Sequence, residues 1–138
     1  MPPRLASPYE AIGGEPVIRA ILVDLYARLF DDMIVGFLFA GHDQAHLVEM
    51  QTAFTRRMLG DRTAVYTGKP VTEAHAALPI LPGHFDRRHQ LLREVLEAHG
   101  VAPFPRDFWL KIDRGLRDAI LKLGAARVDE LRWRGEDE

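Results

Sequence analysis

Few side chains in this sequence can do chemistry in a protein interior, and His75 is the first of them. It lies in Val71-Thr72-Glu73-Ala74-His75-Ala76-Ala77-Leu78, a short apolar segment closed by Pro79. In a helix, Val71 four residues earlier and Leu78 three later share its face, so the imidazole points off a hydrophobic surface. A histidine aimed into an apolar interior is either a core residue with a satisfied ring or an axial ligand to a buried metal. Tyr26, on the apolar stripe of an earlier segment, can be a core tyrosine whose hydroxyl reaches the surface. Gln51 can be an exposed polar residue, but its four-residue step from Leu47 and three-residue step to Phe54 put it on an inner face. Arg88 is the oddity. Phe85, Leu92 and Val95 surround it at helical spacing, and a buried unpaired guanidinium costs several kcal/mol. It must snorkel outward or find a partner inside.

Helices must position these groups. The prolines fall at 2, 3, 8, 16, 70, 79, 82, 103 and 105, leaving 17–69 and 106–138 free of helix breakers. Val17, Ile18, Ile21, Leu22, Leu25, Tyr26 and Leu29 recur at helical steps after Gly13-Gly14-Glu15-Pro16, with proline in the first turn. Phe30 to Gly41 reads as a short helix and turn carrying Phe37, Leu38 and Phe39. A second long helix runs from near Asp43 to Leu59, with Leu47, Met50, Gln51, Phe54 and Met58 on one face, and Gly60-Asp61 ends it. After a loop over 61–70 comes the histidine helix, with Thr72 as its expected N-cap. A further helix covers 82–99 and stops at Gly100, and the last puts Trp109, Ile112, Leu116, Ile120 and Leu123 in one stripe. No alternation marks a strand. The expected fold is all-α, about six helices, with a polar Arg132–Glu138 tail that frays.

Composition excludes several classes. A chain of 138 residues makes one domain with a real core. Net charge −2 gives no footprint for nucleic acid, and no apolar stretch is long enough to span a bilayer. Cysteine is absent, which removes disulfides, thiolate nucleophiles, zinc–thiolate sites and iron–sulfur clusters. Met1-Pro2-Pro3-Arg4-Leu5-Ala6-Ser7-Pro8 lacks the apolar run of a signal peptide, so a cytoplasmic protein is expected.

Taken together, the ordered motifs resemble the truncated haemoglobins, most closely their first subgroup. They are Tyr9-Glu10-Ala11-Ile12-Gly13-Gly14, Asp24-Leu25-Tyr26-Ala27-Arg28-Leu29, Phe39-Ala40-Gly41, Met50-Gln51-Thr52-Ala53-Phe54, Tyr66-Thr67-Gly68-Lys69-Pro70, Glu73-Ala74-His75 and His84-Phe85-Asp86. The resemblance spans roughly residues 8–123 and implies a two-over-two helical sandwich around haem b. It divides the chain into an N-terminal segment 1–7, a globin domain 8–124 and a polar extension 125–138. By position, His75 matches the proximal ligand of the haem iron, while Tyr26 and Gln51 match distal donors that hydrogen-bond bound dioxygen. Phe39 matches the phenylalanine packed on the haem, Leu47 the distal gate, and Phe54, Val71, Ile80 and Phe85 the haem wall.

The pattern also has departures. Where relatives carry an apolar or aromatic residue this chain has Arg88, which on a functional reading pairs with a haem propionate or acts on bound ligand. Met50 stands where some relatives carry a histidine that becomes a sixth iron ligand. Thioether coordination is conceivable there, though core filling suits a methionine better. His46 and His42 are the other nearby candidates. Leu78-Pro79-Ile80-Leu81-Pro82 resembles a different subgroup from the first half.

The implied function is binding of dioxygen, nitric oxide or carbon monoxide, by a monomer or weak homodimer. Two distal donors suit scavenging, sensing or nitric oxide detoxification better than transport. Any turnover, as nitric oxide dioxygenase or weak peroxidase, needs an external reductase, since no glycine-rich fingerprint follows a strand. The rival is a haem-free globin-fold interaction or sensory module, supported only by Arg88.

Overall fold

The computed structural model describes residues 5–123 and 127–135, and among these there are helices and turns but no strand. A short helix α1, Pro8–Ile12, opens the fold. Ser7 and Glu10 cap it reciprocally, with the Glu10 amide donating to Ser7 Oγ at 3.1 Å. Gly13 and Gly14, at φ 112° and 79°, turn the chain into α2, Glu15–Asp31, a reversal open to residues without a β-carbon. The predicted stripe is buried in α2, namely Ile18, Ile21, Leu22, Leu25, Tyr26 and Leu29. Asp32 ends the helix, its carboxylate accepting from the Ile34 and Val35 amides. A 3-10 turn, Gly36–Phe39, follows.

Helix α3, Gln44–Met58, starts at Asp43, whose side chain accepts from the His46 amide at 3.1 Å. It packs on α2 through Val48, Thr52, Thr55 and Met58. That face is rotated from the expected one, so Leu47, Gln51 and Phe54 lie at its border, half buried. Helix α4, Val71–His75, is one turn long and ends three residues earlier than the sequence suggested. Its N-cap is Pro70, not Thr72. Proline at φ −53° sets the entry to the helix, and its carbonyl accepts from Ala74 at 2.8 Å.

Helix α5, Pro82–Ala98, buries Phe85, Leu91, Leu92, Val95 and Leu96 and lies against α2. The single final helix expected from the pattern is two. Helix α6, Pro103–Gly115, packs on α5 and α1, and α7, Arg117–Leu121, packs on α4 and α5. The break follows Gly115, where Leu131 leaves no room for a β-carbon. Lys122 then takes a left-handed conformation, φ 60°, and Leu123 drops off the stripe to 61% exposure. The α2–α3 and α5–α6 pairs are the two layers of the sandwich. Fraying does not extend to Trp133. Its amide donates to the Met58 carbonyl at 2.8 Å, and its ring meets Phe104, Phe108 and Gly60. Residues 124–126 and 136–138 lie outside the described residues.

Candidate functional site

The layers enclose a cavity that is open on one side. Tyr26 enters it from α2, Gln51 and Phe54 from α3, Val71 and His75 from α4, Arg88 from α5 and Asp113 from α6. A smaller hollow shares His75 and Arg88 with it and adds Phe39, Ile80 and Phe85. Nine of the ten residues singled out from the sequence therefore line one connected cleft. Leu47 does not; it is half buried against the core. Met50 lines neither hollow, and His42 and His46 are exposed.

His75 is half buried, and its Nδ1 lies 2.7 Å from the Val71 carbonyl one turn back. A carbonyl only accepts, so Nδ1 carries the proton and Nε2 is left with its lone pair. No described residue hydrogen-bonds that second nitrogen. Burial lowers the proton affinity of the ring, the Val71 carbonyl opposes this, and Arg88 and Lys122 reinforce burial, so the imidazole stays neutral. Lys122 also holds the end of α4, its ammonium donating to the carbonyls of His75, Ala76 and Leu78 at 3.3, 3.4 and 2.7 Å.

Tyr26 is 7% exposed, with its ring edge-on to Phe39 at 6.0 Å. Its hydroxyl opens into the cavity and has no partner among the described residues. Burial pushes the phenol up to about 12, with Arg88 pulling the other way, so it stays a neutral donor facing the cavity.

Arg88 does not snorkel. It turns inward and pairs through Nη2 with Asp113 Oδ1, while His89 Nδ1 sits 2.7 Å from the other carboxylate oxygen. Its guanidinium lies 5.5 Å from the Phe85 ring centre, and the Phe85 ring stacks on His89. Burial raises the Asp113 carboxyl, but Arg88 and His89 outweigh it and hold the group below the usual carboxylate range. Sequence reasoning missed Asp113 as this partner. The signal was present as a carboxylate within the Trp109, Ile112, Leu116 stripe, four residues after Trp109.

The donor set fits haem. Among the described residues no three His, Asp or Glu side chains cluster to hold a bare ion. A metal facing His75 must therefore bring its other ligands, as a porphyrin does. The ring has the right tautomer, fixed by a backbone carbonyl, and the walls are mostly apolar.

Known proteins agree with this geometry. The model of the bacterial-like globin family matches residues 7–122. A group 1 truncated haemoglobin from Nostoc sp. (strain MUN 8820) is 30% identical over 115 residues, 82% of this chain and 95% of that protein. One from Tetrahymena pyriformis is 33% identical over 93 residues, 67% of this chain and 76% of that protein. The Fe(III) crystal structure of truncated haemoglobin from the same organism superposes with a TM-score of 0.77 at 29% identity, over 83% of this chain and 97% of that one. The 2/2 haemoglobin of Synechococcus sp. PCC 7002, solved with covalently attached haem, shares the fold with a TM-score of 0.79 at 24% identity, over 85% and 99% of the chains. With the two-layer fold, the free imidazole nitrogen and these relatives in accord, the chain belongs to the truncated haemoglobins, gas-binding proteins whose cofactor is haem b.

Proposed function

We propose that the protein binds dioxygen, nitric oxide or carbon monoxide at haem iron ligated by His75, and that Tyr26 and Gln51 retain dioxygen by hydrogen bonding. When bound, the haem supplies an iron with an open position for a diatomic gas. One observation carries the reading. A neutral imidazole with a free Nε2 and a buried phenol without a protein acceptor line the same cavity. Phe39, Phe54, Val71, Ile80 and Phe85 supply the apolar walls that exclude water from it. Tyr26 is a donor and not an anion, so it favours a ligand that gains negative charge, as dioxygen does, over carbon monoxide. Slow dioxygen release suits a scavenger, a sensor or nitric oxide detoxification with electrons from an external reductase. Arg88, the single argument for a haem-free module, is paired with Asp113, so it puts no uncompensated charge in the cleft.

Absorption spectra of the haem-reconstituted protein, ferric and ferrous, beside His75→Ala test the reading. A five-coordinate ferrous spectrum that shifts with carbon monoxide and dioxygen, and is lost or altered in the variant, is the expected result. A six-coordinate ferrous spectrum, or one identical in His75→Ala, would overturn the assignment of His75 beside an open position. Failure to take up haem would restore the haem-free module.

A further inference from the structure

Arg88 is more than one half of a buried ion pair. Asp113 has committed both carboxylate oxygens, one to Arg88 Nη2 and one to His89 Nδ1. The guanidinium has not committed all its donors. Of the three nitrogens only Nη2 is hydrogen-bonded to a described residue. Nε and Nη1 are not sealed in protein, because neither is among the buried atoms that lack a partner. The side chain is 23% exposed, and the surface it lines is that of both hollows. Asp113 also lines the larger hollow, but it is only 5% exposed, so the guanidinium is the more accessible end of the pair. The pair is thus a dipole with its positive end toward the cleft.

Resting on the haem reading above, we propose that Arg88 is the specificity-determining cation of this cleft, favouring anionic over neutral iron ligands, with Asp113 and His89 holding it in place. A guanidinium fits the task. It stays charged, and its planar N–H groups can grip an anion while another binds the carboxylate. The cost of keeping it buried is met permanently by Asp113, so no reorganisation is needed when an anion enters. The stacked Phe85 and His89 rings limit how far the head group can swing. A neutral ligand gains little from the same charge, so the device selects by ligand charge and not by size.

The test is titration of the ferric, haem-loaded protein with sodium azide, followed at the Soret band. Carbon monoxide binding to the ferrous form is the neutral reference. Arg88→Met should weaken azide binding by about tenfold to a hundredfold, the worth of a charge-assisted hydrogen bond in a dry site. Carbon monoxide affinity should stay within about twofold, since an uncharged ligand forfeits little to the lost cation. Arg88→Lys, which restores the charge without the planar fork, should recover part of the lost azide affinity. If Arg88→Met does not fold or take up haem, Arg88→Met with Asp113→Leu removes both charges together and carries the same expectation. An azide Kd within about twofold of the wild type in these variants overturns the proposal. So does equal weakening of azide and carbon monoxide, which would make Arg88 a packing residue. Wild-type protein that takes up no haem would instead fail the reading beneath it.

Discussion

On the proposed function, Tyr26 is where one atom separates gas ligands. Its hydroxyl is inside the protein, has no acceptor among the described residues, and holds its proton up to about 12. The hydroxyl opens into the cavity, and a hydrogen bond from it to a ligand that gains negative charge is worth about 1.5–3 kcal/mol. Tyr26→Phe removes the donor and keeps the ring against Phe39. We expect the dioxygen off-rate to rise by about tenfold to a hundredfold, the carbon monoxide off-rate to change by less than about threefold, and thermal stability to hold or rise. Laser photolysis and stopped-flow mixing measure both rates. Equal changes for the two gases would show that the variant loosens the pocket and that the hydroxyl is not the discriminating group.

At the scale of the element, α4 is the part with least to hold it. Five residues make one helical turn, too short to be stable by itself, and none of them is buried. It is held by the Pro70 entry and by Lys122, whose ammonium gathers three carbonyls at the exit. Lys122 sits at φ 60°, a conformation that asparagine tolerates but most residues resist. Lys122→Asn therefore removes the clamp without adding backbone strain. In the apo-protein, hydrogen exchange across residues 71–80 should speed up by about fivefold, as about 1 kcal/mol of exposed hydrogen bonding is lost, with α2 and α5 unaffected. Unchanged protection over 71–80 would mean that packing against α7 alone fixes the histidine. This scale also shows what a sequence can disclose. The α2 stripe, the Asp43 start of α3 and the Gly100 stop of α5 follow from local periodicity and capping, and each was readable. Thr72 was the wrong cap because a preceding proline had already fixed the turn. The α6–α7 break was hidden because the buried stripe Trp109, Ile112, Leu116 and Ile120 runs on across it, so periodicity reads one helix. His75, Tyr26 and Gln51 were singled out by the resemblance of the ordered motifs, because residue type and helical face alone left core and site readings open, and the three line one cavity. The inward pairing of Arg88 was not, because its partner lies on another helix, 25 residues away.

At the scale of the whole molecule, three depressed carboxyls, two of which tie distant elements together, set the response to acid. Asp32 is lowered chiefly by Arg87 of α5, in an ion pair of 2.8 Å that links the end of α2 to α5. Burial raises Asp61, but Thr63 and Arg56 lower it further. Asp113, between α5 and α6, is lowered in the same net sense by Arg88 and His89. Each group binds its proton less readily when folded than when unfolded. Its contribution is therefore present in full above the ordinary aspartate value near 3.8 and is lost as pH falls through the lower folded value. Asp113→Asn isolates the central link. At pH 7 it leaves the Arg88 charge buried without its carboxylate, a loss of about 3–5 kcal/mol, or a Tm lower by at least about 10 °C. As pH falls below the folded value, the wild-type Asp113 is protonated too and loses the same attraction. The gap between the two melting temperatures should then narrow, with the variant showing the shallower acid dependence. Calorimetry of both proteins from pH 7 to pH 3 measures it. A gap that stays constant over that range would show that the cost of the substitution lies in packing, and that the charge of Asp113 does not hold α5 to α6.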